Sequence, residues 1–81
     1  MKTERNEIKY RDQVFDRTHG SPFDRGSADS WYSRPQNPHW YPAGTGNGER
    51  VELKDMSIAQ RQAYFMGYAH NEESGGKKYG N

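Results

Sequence analysis

The sequence predicts a mainly α protein: a small two-helix, hairpin-like domain with a long linker rich in proline, glycine and aromatic residues, and a partly ordered N-terminal arm. Three observations support this prediction. The 81 residues suffice for one small domain. Only eight of them are Leu, Ile, Val or Phe, so six Tyr and two Trp must supply much of the apolar area. Two segments carry helix-start signals, and a stretch rich in Pro and Gly separates them.

The predicted arm covers residues 1–20 and has few apolar side chains. Ile8, Tyr10 and Val14 fall on alternate positions, which favours a strand, whereas Tyr10 and Val14 lie four apart, which favours a helix. The pattern is too short to choose between the two. We expect an arm that frays at its start, or one that folds onto a partner.

Helix 1 is predicted over residues 22–34, within a two-helix domain spanning 21–73. Ser21 can cap the first free amides, and the proline after it suits the first helical position. Because a proline follows Arg34, the helix should end there or earlier. Gly26 costs about 1 kcal/mol relative to Ala inside a helix, which indicates close approach of a second backbone. One stripe of the predicted helix contains Phe23, Ser27, Ser30 and Trp31, with Gly26 beside it.

The linker is predicted over residues 35–56 and has two parts. Residues 35–42 contain three prolines among several rings and should be stiff, whereas the glycines of residues 44–48 should make a loose loop. Residues 51–53 form a brief extended lead-in to the second helix. Long irregular loops in compact domains usually bind something or are disordered.

Helix 2 is predicted over residues 58–73, because Ser57 and Gln60 match a capping box and a Ser-Gly-Gly stop signal follows. Between residues 63 and 69 it is apolar nearly all round, more than one neighbouring element can cover. Helix 2 therefore also offers a surface for pairing with a second copy of the chain, as a homodimer. The tail, 74–81, is expected to be flexible. One face of the predicted helix holds Ile58, Phe65 and Tyr68 or Ala69, and the adjoining face holds Ala59, Ala63, Met66 and Gly67.

Composition and charge argue against several classes of function. Twelve Lys and Arg face eleven Asp and Glu, for a net charge of +1, so neither the cationic excess of a nonspecific nucleic-acid binder nor the acidic excess of a DNA mimic is present. The absence of Cys excludes disulfides and thiolate chemistry. The longest apolar run, residues 63–69, is too short to span a bilayer, and no signal-peptide pattern opens the chain. We expect a cytoplasmic protein with no membrane partner.

Four short motifs follow one another along the chain: Arg25-Gly26, Arg34 at the end of helix 1, Asn37-Pro38-His39 in the linker, and the aromatic-glycine run of residues 63–68. Their order, over about residues 23–70, resembles the ribosome modulation factor family and its phage-encoded relatives. The resemblance implies two helices joined by a linker. It also implies binding to the small ribosomal subunit near the 3′ end of its RNA. This chain departs from the family in its low net charge, its His after the linker proline, its glycine insertion and its longer arm.

The candidate contact residues are rings and one arginine. Unpaired bases stack on aromatic side chains while a nearby arginine holds phosphate, but the same residue types also dominate protein interfaces. Trp31 and Trp40 could instead be core, since little aliphatic material exists to build one. The residues predicted to contact a partner or RNA are Tyr32, Arg34, His39, Trp40, Tyr41, Tyr64 and Tyr68. Those predicted to pack the helices are Gly26, Gly67, Trp31 and Phe65.

Catalysis and metal binding are not expected. His19, His39 and His70 lack the paired spacing of metal ligands. The glycines of residues 44–48 lack the strand and helix that flank a phosphate loop, and no apolar pocket is evident that would perturb a carboxylate. We therefore expect no cofactor and no small-molecule substrate. Two hypotheses remain: a modulator that binds the ribosome through ribosomal RNA, and a phage-type effector that binds and inhibits a single host protein.

Overall fold

A computed structural model describes residues 6–78, and its fold is mixed α/β. The predicted mainly α two-helix hairpin is therefore wrong: two helices are accompanied by two small antiparallel sheets. Strands of two to four residues are too short to leave a clear alternation in the sequence. In chain order the elements are β1 (Glu7–Tyr10), β2 (Gln13–Asp16), α1 (Pro22–Trp31), β3 (His39–Trp40), β4 (Val51–Glu52), a 3-10 turn (Leu53–Asp55) and α2 (Ile58–Ser74).

The N-terminal arm is a β-hairpin, so of the two readings left open by the sequence the strand is correct. β1 pairs antiparallel with β2, with Ile8 opposite Phe15. Arg11 and Asp12 both adopt positive φ, 53° and 62°, as in the two-residue turn that matches the twist of a hairpin. Phe15 is buried and stacks on Phe23 of α1, with ring centroids 5.1 Å apart. The predicted fraying at the start concerns residues 1–5, which lie outside the described residues.

α1 begins as predicted but ends three residues earlier, at Trp31 rather than Arg34. The Ser21 hydroxyl caps it by accepting from the Asp24 amide at 3.3 Å. At the other end, the Ser33 amide donates to the Ser30 carbonyl and the Arg34 amide to the Asp29 carbonyl, at 3.0 and 2.7 Å. Ser33 has a positive φ of 61°. This is a Schellman ending with serine where glycine is usual, so no glycine marked it in the sequence.

The linker contains a sheet rather than only a loop. β3 pairs antiparallel with β4, placing His39 opposite Glu52 and Trp40 opposite Val51. The Tyr41 amide donates to the carbonyl of Gly20 at 2.8 Å and so ties the linker to the start of α1. The linker is thus folded back onto α1 instead of projecting from the helices.

α2 carries the predicted capping box and ends one residue later than predicted. The Ser57 hydroxyl accepts from the Gln60 amide at 3.0 Å, and the Gln60 side chain accepts from the Ser57 amide at 2.9 Å. Beyond α2, the Lys78 amide donates to the Trp31 carbonyl at 2.7 Å, and the Lys77 ammonium donates to the Ser30 carbonyl at 2.9 Å. The predicted flexible tail is therefore hydrogen-bonded to α1 as far as it is described, and residues 79–81 lie outside the described residues.

The two helices cross with their backbones in contact at two glycines. A Cβ on Gly26 would overlap the carbonyl oxygen of Tyr64, and a Cβ on Gly67 would overlap the carbonyl oxygen of Phe23. Close approach of this kind requires the absence of a side chain on both helices. It also sets which residues face inward: Phe23, Gly26, Asp29 and Ser30 on α1, and Tyr64, Gly67 and Asn71 on α2.

The large side chains predicted to pack the helices are therefore not the ones that face inward. On α1, Trp31 was expected inside and is exposed, whereas Asp29 is buried. On α2, Phe65 was expected to pack the helices and is exposed, whereas Tyr64, expected to contact a partner, is fully buried. The prediction chose large apolar residues for helix packing. Because the backbones meet at the glycines, polar residues of each helix face the neighbouring helix instead.

The described part of the chain has no helix of the length and apolarity that a lipid bilayer crossing requires.

Candidate functional site

A buried hydrogen-bond network lies between α1, the linker and α2. The Tyr64 hydroxyl donates to a carboxylate oxygen of Asp29 at 2.5 Å and accepts from the Asn37 amide at 2.9 Å. Burial raises the pKa of Tyr64, and the hydrogen bond to Asp29 raises it further. The positive charge of Arg34 compensates the negative charge of the buried Asp29 carboxylate, because its Nη1 atom lies 3.4 Å from the other oxygen of Asp29. The network holds the segment after α1 against α2.

His39 extends the network and is held in one tautomer. Its Nδ1 lies 2.7 Å from the Asn37 carbonyl oxygen and donates to it, so Nε2 carries the lone pair that accepts from Arg25 Nε at 3.4 Å. Burial lowers the pKa of His39; the hydrogen bond to Asn37 opposes this effect, and the nearby charge of Arg50 adds to it. His39 is thus a structural, neutral histidine that is buried within the linker.

Two exposed rings lie together at the end of α1, beside two cations. Trp31 and Tyr32 are 40% and 42% exposed. The guanidinium carbon of Arg34 lies 4.7 Å from the Tyr32 ring centroid, and the ammonium of Lys78 lies 5.6 Å from it. Both distances allow cation–π attraction. We call Trp31, Tyr32, Arg34 and Lys78 the α1-end surface.

A cleft adjoins the α1-end surface and shares Arg34 with it. The volume of the cleft is about 300 Å³, and its walls carry two guanidinium groups. Arg50 is half-buried there, with its Nε atom 2.9 Å from a carboxylate oxygen of Glu52. We call this space the arginine cleft; it is lined by Asp29, Arg34, Pro35, Asn37 and Arg50.

Two of the predicted contact residues are not on the surface. Tyr64 is 0% exposed and His39 is 4% exposed, so neither side chain can touch a partner of the folded protein. Both were predicted as contacts from their residue type. Residue type does not show whether a side chain points toward the core or toward solvent. Their role in the structure is to hold the linker.

Three further predicted contact residues are half-buried. Trp40 lies in β3, and its indole Nε1 is buried without a hydrogen-bond partner among residues 6–78. The Tyr41 ring contacts the His39 ring edge-on, with centroids 5.5 Å apart. The Tyr68 hydroxyl donates to the Arg34 carbonyl at 2.5 Å. Tyr32 and Arg34 are the predicted contact residues whose side chains are exposed.

Of the four residues predicted to pack the helices, the structure brings two to the crossing. Gly26 and Gly67 lie where the backbones meet. Trp31 and Phe65 are 40% and 38% exposed, which is inconsistent with a purely packing role. Trp31 belongs instead to the α1-end surface.

The sequence reasoning missed Asp29 and Arg50. Asp29 lies three residues after Gly26, so the helical spacing from that glycine marks it as facing α2. Arg50 could not have been found in this way, because the residues that follow it form a two-residue strand with no periodic signal. Within residues 6–78, no three His, Cys, Asp or Glu side chains are grouped as metal ligands would be.

Comparison with protein-family models, with curated proteins and with solved structures finds no match to this chain. We therefore infer the function from the α1-end surface and the arginine cleft.

Proposed function

We propose that the protein is a small non-enzymatic binding protein of the bacterial cytoplasm that modulates translation by binding ribosomal RNA. The α1-end surface is the proposed contact. The observation that carries the proposal is the exposure of Trp31 and Tyr32 beside Arg34 and Lys78. Exposed rings next to cations are the combination that single-stranded nucleic acids require.

Stacking supplies part of the binding energy in such a contact, and neutralised phosphates supply the rest. Each base stacked on an aromatic side chain contributes about 1–3 kcal/mol, whatever its identity. Two exposed rings thus support micromolar binding of a short unpaired segment when a few phosphates are also neutralised. Because the net charge of the chain is only +1, the cations must act locally, as they do around Tyr32.

The resemblance to the ribosome modulation factor family supports the same proposal. Its motif residues lie behind the surface rather than on it: Gly26 and Gly67 allow the helices to meet, and His39 anchors the linker. Arg34 is the motif residue that reaches the α1-end surface itself. The motifs would then preserve the scaffold that presents the rings.

The second candidate function is that of a phage-type effector that inhibits a host protein. Two exposed apolar side chains of α2, Ile58 at 74% and Phe65 at 38%, favour it. They lie seven residues apart and so share one side of the helix. A protein partner would use this side, whereas the proposed RNA contact does not need it.

A pull-down from bacterial lysate, with and without nuclease, tests the proposal. We expect the wild-type protein to retain ribosomal RNA, and we expect nuclease or moderate salt to abolish this retention. Tyr32→Ala should retain little RNA, whereas Phe65→Ala should behave as wild type. Retention of one host protein through nuclease and high salt, lost in Phe65→Ala, would favour the effector function instead.

A further inference from the structure

The arginine cleft lies beside the stacking rings, and Arg34 belongs to both. Resting on the proposed RNA-binding function, we propose that the arginine cleft is a phosphate subsite. It would receive a backbone phosphate of an unpaired ribonucleotide whose base stacks on Tyr32. Arg34 and Arg50, which both line the cleft, would hold the phosphate.

Guanidinium groups suit this task because each presents five N–H donors in a planar fork that matches phosphate oxygens. Arg34 uses its Nη1 atom on Asp29 and keeps donors for a ligand. Its guanidinium also lies 4.7 Å from the Tyr32 ring centroid. One arginine therefore connects the position of a stacked base to the position of its phosphate.

The carboxylate in the cleft orients Arg34 rather than repelling an anion. The Asp29 side chain is only 5% exposed, and it accepts the Tyr64 hydroxyl as well as Arg34. A phosphate entering the cleft would meet the guanidinium groups before the carboxylate oxygens. The lining residues include two arginines and one aspartate, and a second carboxylate, that of Glu52, pairs with Arg50 beside the cleft.

Both arginines are held in place before any ligand arrives. The Arg34 amide donates to the Asp29 carbonyl at 2.7 Å, and its carbonyl accepts from the Tyr68 hydroxyl at 2.5 Å. Arg50 directly precedes β4, which is paired with β3. Little ordering is required of either backbone on binding, which favours affinity.

Glu52 competes with a ligand for Arg50. Its carboxylate lies 2.9 Å from Arg50 Nε and is half exposed. Removal of this charge should make Arg50 more available to a phosphate. Glu52→Gln is therefore expected to bind RNA several-fold more tightly, a gain that loss of structure could not produce.

The experiment measures binding of a fluorescein-labelled single-stranded oligouridine by anisotropy, between about 50 and 200 mM salt. Each phosphate contact contributes about 0.7 to the slope of log K against log salt for a single strand. We expect Arg50→Gln to lower the slope by about this amount and the affinity about tenfold, equivalent to 1.4 kcal/mol. The matched control is Arg17→Gln, which removes an exposed arginine that lines a different cavity of about 220 Å³.

The outcomes separate this inference from the proposed function. If Tyr32→Ala weakens binding while Arg50→Gln matches Arg17→Gln, the phosphate subsite is wrong and the RNA-binding function stands. If the wild-type protein binds no oligouridine and no ribosomal RNA, the function fails and the subsite with it. Should Arg50→Gln lose its fold by circular dichroism, Glu52→Gln decides, and affinity equal to wild type would overturn the subsite.

Discussion

Individual buried polar residues determine where the linker lies. Tyr64 joins Asp29 to the Asn37 amide, and the Asn37 carbonyl in turn receives the His39 ring. A buried polar group left without its partner costs about 1–3 kcal/mol, so each member of the chain holds the next in place. At the scale of single residues, this network rather than aliphatic packing specifies the path between the helices.

The histidine of this network makes stability depend on pH. Because the folded-state pKa of His39 lies below its ordinary value of about 6.5, the unfolded chain binds the proton more readily between these two values. The free energy of unfolding is therefore expected to fall as the pH decreases through about 6.5, and this contribution levels off below the folded-state pKa. Protonation would place a charge near Arg25 and Arg50, with Asp29 partly offsetting it.

Urea unfolding measured between about pH 8 and pH 5 tests this dependence. His39→Asn keeps a donor for the Asn37 carbonyl but does not titrate, so its stability should vary less over this range. The matched control is His19→Asn, because His19 is exposed. Equal pH dependence in His39→Asn and in the wild type would show that His39 does not contribute.

At the scale of elements, the ends and crossings of the helices depend on single backbone conformations. α1 ends at a Schellman motif with Ser33 at a φ of 61°. A non-glycine residue in this region costs about 1 kcal/mol or more. We expect Ser33→Gly to raise the free energy of unfolding by about 1 kcal/mol in urea titrations. Ser33→Ala, which keeps the strain, should give no increase, and an equal gain in both variants would contradict this account.

The crossing of the helices should tolerate no side chain at its glycines. Gly67→Ala is expected to lower the free energy of unfolding by at least about 3 kcal/mol, because its Cβ meets backbone that cannot move aside cheaply. The matched control is Gly76→Ala, whose Cβ would lie 3.5 Å from Trp31, an ordinary contact. If thermal unfolding of Gly67→Ala matches that of Gly76→Ala, the helices do not meet at this point.

The elements also show what a sequence pattern can reveal. Helix starts were predictable because Ser21 and Ser57 carry local capping chemistry that acts within four residues. The sequence could not decide between strand and helix for the N-terminal hairpin. Its inward residues are Ile8, Tyr10 and Phe15, which form no run long enough to set a period. The linker sheet was missed because pairing of two-residue strands depends on contacts distant in the sequence.

For the candidate site, residue type was predictable and orientation was not. Tyr32 and Arg34 were identified as contacts and are exposed, whereas Tyr64 and His39 were identified on the same grounds and are buried. Tyr64 lies three residues before Gly67, so the spacing from that glycine marks it as inward, but residue type alone does not. His39 is buried in β3, whose pairing with β4 no local pattern indicates.

At the scale of the whole molecule, a nearly neutral chain concentrates cations at one end of α1. Lys78 approaches Tyr32 because the segment after α2 returns to α1, where the Lys78 amide bonds the Trp31 carbonyl. The fold therefore brings side chains from the C-terminal end of α1 and from the segment after α2 onto one surface. Net charge alone would have missed this arrangement, since attraction to phosphates depends on the local distribution of charge.

The most direct test of the proposed RNA contact is the affinity of the wild type, Tyr32→Ala and Phe65→Ala for a single-stranded RNA at fixed salt. Loss of one stacked base should weaken Tyr32→Ala by roughly 5- to 150-fold while its melting temperature stays close to that of the wild type. Phe65→Ala, which removes a ring of similar exposure on α2, should bind as the wild type does. Equal affinity of all three proteins, or no binding by the wild type, would contradict the account.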